Sequence, residues 1–443
     1  MSRQRIAVIG SGISGMAAGY YLSKHHDITL FEAADRLGGH TATIDVTLDG
    51  RDYAIDTGFI VFNDWTYPHF QALLAELGVA SQPTEMSFSV HERSYDFEYN
   101  GHTLSTLFAQ RRNLLRPRFY RLLADILRFN REAVRDLESG RLDPALTLGD
   151  YLEAGGYGED FRRRYLLPMG AAIWSASIRD LKGFPLTFFV RFFKNHGLLS
   201  VSHRPQWHTL VGGSRAYIPA LTAPYAEGIR LASPVKGIRR HADGVEIESR
   251  HGVEQFDQVV LACHSDQALA LLEDPSDAER EILGALPYQD NEVVLHTDTR
   301  LLPRRPRAWA SWNYRLDGRG DAARVSVTYD MNILQRLEAP HTFCVTLNDS
   351  ASIDPRRVLG RFTYAHPCFT LTGQAAQARH GEISGGKSRT HFCGAYWRNG
   401  FHEDGVWSAR RVALALGDAP RPADGLVLDS PRAHQDAAME TPA

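Results

Sequence analysis

Arg5-Ile6-Ala7-Val8-Ile9-Gly10-Ser11-Gly12-Ile13-Ser14-Gly15 opens a stretch, continuing to Thr43, on which the reading of the whole chain turns. Ile6 to Ile9 is an unbroken apolar run, as a strand buried on both faces requires. Three glycines follow, and then the small and apolar residues from Met16 to Ser23 predict a helix. A second apolar run, Ile28 to Phe31, ends in Glu32-Ala33. Gly10 allows a tight turn, Gly12 lets backbone approach a pyrophosphate, and Gly15 lets the helix pack against the strand. The helix start offers unpaired N–H groups and its positive dipole end to phosphate oxygens. Glu32 arrives about 20 residues into the unit, where an acid accepts hydrogen bonds from a ribose. A glycine loop alone can join strand to helix and bind nothing. Strand, loop, helix, strand and acid in this order predict a dinucleotide-binding unit.

The rest of the composition sets bounds. The 443 residues suffice for two or three domains, and a formal net charge of -3 provides no global field for nucleic acid. Cys263, Cys344, Cys368 and Cys393 lack metal-ligand spacing and fit a reducing compartment better than a disulfide framework. No signal peptide is expected before the glycine loop, and no apolar run reaches the ~18 residues of a membrane span. The expected location is cytoplasmic, with peripheral contact to the inner face of a membrane as an added expectation.

Outward from the glycine loop, residues 44–60 alternate as a hairpin turning at Asp49-Gly50 and closing on Asp56-Thr57-Gly58-Phe59-Ile60. A helix is expected over 66–79 and short strands over 86–104. Between 105 and 139, Arg111, Arg112, Arg116, Arg118, Arg121, Arg128, Arg131 and Arg135 accompany an apolar stripe of Leu122, Leu123, Ile126, Leu127 and Phe129. Such a helix either lies on an anionic membrane or packs on a core with a solvated arginine face. Residues 147–199 read as helical and aromatic, with Thr147 as an N-cap and Phe184, Phe188, Phe189, Phe192 and Phe193 crowded together as core or as an apolar tunnel. Strands return at 229–231, 235–238, 245–247 and 256–262, with a helix beginning at Leu269. Further strands are expected at 291–299, 324–330 and 343–347, with Trp309 and Trp312 between the first two. A closing helix carries Val406, Ala409, Val412, Ala413 and Leu416 on one side.

These pieces, in this order, resemble the FAD-dependent amine oxidase superfamily, which includes protoporphyrinogen oxidases and phytoene-type desaturases. The matching pieces are the glycine loop with Glu32, Arg36-x-Gly38-Gly39-x-x-x-Thr43, Asp56-x-Gly58, Gly212-Gly213, Asp257-x-Val259-Val260-x-Ala262, and Gly394 with Gly400-Phe401-His402-Glu403. Within the superfamily the chain is similar to a bacterial branch described as FAD-binding amine-oxidase-like proteins, associated with enzymes that modify fatty acyl chains. Tyr329-Asp330-Met331-Asn332, His366-Pro367 and the run to Gly405 carry that match.

The resemblance implies an α/β architecture: a Rossmann-like FAD-binding domain, three-layered with a mostly parallel sheet, and an inserted α+β substrate domain. The first would comprise 1–80, 205–285 and 380–418, the second 81–204 and 286–379, with a disordered tail at 419–443. Gly10, Gly12, Ile13, Ser14 and Gly15 would hold pyrophosphate, and Glu32 with Ala33 the adenosine ribose. Arg36, Gly39 and His40 would pass near the ribityl chain, and Thr57, Gly58, Phe59 and Ile60 would lie by the isoalloxazine ring. Val235 would pin the adenine, and Gly394, His402 and Glu403 would form the last cofactor contacts. Trp397, Phe401 and His402 are the candidates for the substrate side of the ring; no metal is expected. Cys368 stands where some relatives carry a covalent flavin link, although a buried small hydrophobe is the commoner role of a free cysteine.

Two departures bear on the reaction. Ala395 replaces the family's usual acid after Gly394, and Asn291 or Glu292 stands where many amine oxidases place a lysine beside the flavin. The implied activity is hydride removal from a small apolar or lipid substrate, such as desaturation of an acyl chain, with the electron acceptor left open. A peroxide-producing amine oxidase, a redox-neutral flavin isomerase and a non-enzymatic flavin carrier are the alternatives.

Overall fold

Arg5–Ile9 forms the middle strand of a five-stranded sheet in the computed structural model, which describes residues 3–140, 142–317 and 324–417. Asp27–Phe31 and Gln258–Leu261 flank it, with Ile229–Arg230 and Thr390–Phe392 at the edges, and every pairing is parallel. Alternate side chains feed two cores. Ile6, Val8 and Val260 join the glycine-loop helix Ile13–Leu22 and the C-terminal helix His402–Ala415 on one face. Ala7, Ile9, Val259 and Leu261 meet a three-stranded antiparallel layer, Gly237–Arg240, Val245–Ser249 and Gly252–Phe256, on the other. Burial on both faces is why these strands read as continuous apolar runs.

The two helices on the first face meet at their N-terminal turns. A Cβ on Gly405 would lie 2.7 Å from Ile13 Cγ2 and 2.8 Å from Ser14 Oγ. Both positive dipole ends therefore face the same region beyond the carboxyl ends of the strands.

A second sheet has seven strands, in the order Val358–Pro367, Tyr288–His296, Cys344–Leu347, Arg324–Asp330, Trp312–Asp317, Phe88–Glu92 and Phe97–Asn100. Its pairs are antiparallel except Trp312–Asp317 with Phe88–Glu92. Helices Pro117–Glu138, Leu167–Trp174 and Leu186–Asn195 share one continuous core with it. Thr147 caps its helix as expected, its side chain accepting from the Asp150 N–H.

Several local expectations need correction. Leu269 lies in the second half of a helix, Ser265–Leu271, that begins after His264, because the polar turn Ser265-Asp266-Gln267 supplies the start. Val235 precedes its strand, which starts at Gly237. The run 256–262 is two strands broken at Asp257, whose side chain accepts the Arg5 backbone N–H at 2.7 Å. Trp312 starts a strand of its own, and the ten-residue strand Val358–Pro367 was not anticipated. Of the apolar stripe, Leu122 and Phe129 are buried, whereas Leu127 is 56% exposed. The expected tail at 419–443 lies outside the described residues.

Candidate cofactor and substrate site

The two sheets enclose a cavity of about 840 Å³ between them. Gly10, Gly12, Ile13, Ser14, Glu32, Ala33, Gly39, His40, Gly58, Phe59, Ile60, Val235, Gly394, Phe401 and His402 line it. Fifteen residues anticipated from the sequence thus converge from six separate segments of chain.

The three loop glycines differ in what they do. Gly10 has φ +102°, and a Cβ there would come 2.9 Å from the Ala262 carbonyl oxygen. A Cβ on Gly15 would come within 1.9 Å of the Gly10 carbonyl oxygen, so Gly15 serves packing and does not line the cavity. A Cβ on Gly12 would meet no protein atom within 4 Å. The first and third glycines shape the chain; the second keeps space open for a ligand.

Glu32 organises the same loop. One carboxylate oxygen accepts from the Ser11 N–H at 2.9 Å and the Ser11 hydroxyl at 2.6 Å; the other accepts from the Ala34 N–H at 2.8 Å. His402 heads the C-terminal helix. Its Nε2 lies 3.0 Å from Thr41 Oγ1 and 3.2 Å from the Tyr217 hydroxyl, and its ring stacks on Phe59 at 3.5 Å. Burial holds it well below the usual histidine range, so it is a neutral, fixed imidazole.

Four anticipated residues besides Gly15 stand off the cavity. Arg36 spends its guanidinium on the carbonyls of Leu37, Gly39 and Thr41, at 3.3, 3.0 and 3.3 Å, and ties the loop together. The Thr57 hydroxyl pairs with Tyr364 at 2.8 Å. Trp397 is buried against His380 and Tyr396, with ring centroids 4.5 and 5.0 Å away, and is no substrate wall. Glu403 faces the N-terminus of helix Pro68–Glu76, accepting from the His69 and Phe70 N–H groups at 3.2 and 2.9 Å.

Burial pushes the Glu403 carboxyl up to about 8, against the two N–H groups that favour its charge. Between its ordinary 4.5 and that value the folded chain holds a proton the unfolded chain has released. Stability from this group therefore falls as pH rises through that window, by at most about 1.4 kcal/mol per unit. Glu403→Gln should melt close to the native protein near the bottom of the window. It should gain on the native protein above the top of it; a gap independent of pH would contradict this.

One cluster escaped the sequence reading. The rings of His264 and His366 lie 6.2 and 5.2 Å from His40, and that of Tyr364 lies 5.5 Å away. His366 Nδ1 lies 3.1 Å from the Asn291 amide. Burial, with the neighbouring imidazoles, pushes His40 down to about 3 and His366 to about 4, so both present neutral nitrogens. His40 Nε2 is buried with no protein partner among the described residues, a polar atom left for a ligand. These histidines come from separate loops and strands, and no local spacing links them. Asn291 is held by His366 and Asn348, Glu292 points toward Arg361, and neither lines the cavity.

A family model described as flavin containing amine oxidoreductase matches residues 13–330. The chain belongs to that family. AofH of Mycobacterium tuberculosis, whose name assigns it provisionally to the flavin-containing monoamine oxidases, is 24% identical over 345 residues, covering 74% of this chain and 70% of AofH. Among solved structures, cyclohexylamine oxidase from Brevibacterium oxydans superposes with TM-score 0.67 at 15% identity, over 94% of this chain and 98% of that one. A CLA-producing fatty acid isomerase from P. acnes gives 0.66 at 16% identity, over 94% and 98%. At such identities these structures share the fold alone.

As a flavin amine oxidoreductase family member the protein is an FAD-dependent oxidoreductase. Its residues fit that cofactor on their own terms: open space at Gly12, two helix N-termini, the Glu32 carboxylate and the unpaired His40 nitrogen converge on one elongated cavity. A covalent link through Cys368 is not indicated. Cys368 is absent from the cavity lining, and burial pushes its thiol up, away from the reactive thiolate.

Proposed function

We propose that the enzyme removes a hydride from an apolar, chain-like substrate and desaturates it. The observation that carries this reading is the wall beyond the nucleotide loop. Met86, Phe88, Met169, Ile173, Trp174, Phe192 and Phe369 line it, and Trp174 contacts Phe192 at 4.7 Å and Phe184 at 5.2 Å. Among the described residues, the only carboxylate lining the cavity is Glu32, at the nucleotide end. An ammonium group would find aromatic faces there but no counter-charge. FAD, when bound, supplies the two-electron acceptor. The protein's part is placement: Phe401, stacked on Phe192 at 5.2 Å, walls the substrate side, and the dipole of helix His402–Ala415 favours negative charge at its N-terminus. Binding of saturated chains from octyl to tetradecyl should tighten about four-fold per methylene, read from the flavin absorption band. A flat series would sink the reading.

A second reading is redox-neutral isomerisation of the same kind of chain. With Asn291 or Glu292 expected where many amine oxidases carry a lysine, and neither of them lining the cavity, the site supports this reading over amine oxidation. Product formed without any electron acceptor would select it.

Contact with an anionic bilayer is part of the proposal. Leu104 is 78% and Leu115 87% exposed, and Leu114, Tyr120 and Leu127 are exposed beside them. Arg111, Arg121 and Arg131 are exposed with no acidic partner among the described residues. Gly101 and His102, which line the cavity, lead directly into Leu104. Each arginine near an anionic surface is worth about 1 kcal/mol. The native protein should sediment with phosphatidylserine vesicles at low salt, and Leu115→Asp with Arg121→Gln should remain in the supernatant. Equal partition of the two proteins would contradict the proposal.

A further inference from the structure

Arg204 is exposed yet lines the cavity, as do Gly101 and His102, so these residues mark its mouth. Among the described residues it is the only lysine or arginine in the lining. Its Nε donates to the Ser200 carbonyl at 2.9 Å, which fixes the stem and leaves both terminal nitrogens without a protein acceptor among the described residues. The loop that carries it is packed tightly: a Cβ on Gly197 would lie 2.7 Å from Pro205 Cδ. Tyr165 also lines the cavity, and its hydroxyl has no hydrogen-bond partner among the described residues. Arg204 and Tyr165 thus share one cavity wall; burial pushes the phenol up to about 12, and the charge of Arg204 opposes that shift.

An aromatic path leads inward from this mouth. Trp207 lies 6.4 Å from His196, His196 stacks on Phe192 at 3.8 Å, and Phe192 stacks on Phe401 at 5.2 Å. Phe401 immediately precedes helix His402–Ala415. A cation and a phenol on an apolar path, whose only lining carboxylate among the described residues is Glu32 at the nucleotide end, fit an anionic head followed by a hydrocarbon chain. A guanidinium offers two parallel N–H groups that match the two oxygens of a carboxylate.

We propose that Arg204 and Tyr165 clamp the carboxylate of a free long-chain carboxylic acid at the cavity mouth, with its chain running inward to Phe401. The inference rests on the apolar-chain reading above and names its substrate class. Because the head is held several rings away from Phe401, the reacting carbons lie well down the chain from the carboxylate. Acids too short to span the path would bind weakly and react poorly.

The test uses the FAD-loaded protein and three probes with one chain: dodecanoate, dodecanol and dodecylamine. Affinities are read from quenching of tryptophan fluorescence and from the flavin band. Dodecanoate should bind about ten-fold tighter than dodecanol, the exposure of Arg204 keeping the gain at the low end for a charged hydrogen bond. Dodecylamine should bind no tighter than the alcohol. Arg204→Gln should bring the acid to the affinity of the alcohol and leave the alcohol unchanged, Arg204→Lys should retain part of the gain, and Tyr165→Phe should weaken the acid alone. Equal binding of acid and alcohol to the native protein, or equal loss of both in Arg204→Gln, would overturn the clamp. If none of the three chains binds, the apolar-chain reading fails and the clamp with it. If all three bind alike, the clamp alone fails.

Discussion

Gly12→Val should give a folded, colourless protein. The backbone at Gly12 has φ -63°, which any L-residue adopts, and a Cβ there meets no protein atom within 4 Å. The chain alone therefore tolerates a side chain at this position. The cost falls on the ligand, because the added methyl groups occupy the space next to the helix N-terminus where phosphate oxygens would receive the N–H groups of Ile13 and Ser14. Losing two hydrogen bonds to a charged group costs about 3–6 kcal/mol, a hundred- to ten-thousand-fold fall in flavin affinity. Gly15→Val supplies the contrast: its Cβ would sit 1.9 Å from backbone at Gly10, so that variant should lose the fold and the flavin together. The flavin-to-protein absorbance ratio and far-ultraviolet circular dichroism separate the two outcomes. A yellow Gly12→Val protein would remove the loop from the cofactor site.

The second large effect is at Asp56, which lies at 0% exposure. Its Oδ1 accepts from the Thr43 hydroxyl at 2.6 Å and the Ser214 N–H at 2.9 Å, and its Oδ2 accepts from the Gln335 amide at 3.1 Å. One carboxylate thus joins the hairpin that leads to Gly58, the turn after Gly213 and the segment following helix Met331–Leu334. Asp56→Ala leaves these donors buried and unpaired, and should cost about 3–5 kcal/mol in denaturant unfolding. Asp56→Asn keeps one acceptor oxygen and should lose less. A loss below about 1 kcal/mol for the alanine variant would show that this junction does not hold the three segments together.

The glycine unit was legible because each of its demands is local. A turn, a close approach and a helix contact all fall within Gly10 to Gly15, and the acid that completes the unit sits at the end of the next strand. The C-terminal helix was legible for a similar reason: Gly400 to Glu403 announces its start, and Gly405 permits its contact with Ile13. The strand Val358–Pro367 was not legible. It is an edge strand, paired on one side only, and its alternation is confined to Arg361-Phe362-Thr363-Tyr364, with no residue of the strand fully buried. Trp397 misled because an aromatic beside a cofactor motif looks like a wall, whereas the turn at Gly394 directs Tyr396 to the cavity and Trp397 into the core. Glu403, expected at the cofactor, instead holds the N-terminus of the helix at His69 and Phe70, a partner too far away in sequence for spacing to reveal. The histidine cluster and the Arg204 mouth are products of tertiary structure in the same sense.

The central claim is that one cavity holds FAD at its glycine-loop end and an apolar chain at its aromatic end. Anaerobic titration of the purified flavoprotein with long-chain acids and with primary amines, followed at the flavin absorption band, tests it most directly. The account predicts that a long-chain acid bleaches the band and that no amine does so at equal concentration. Bleaching by amines alone, with peroxide released when air is admitted, would contradict it.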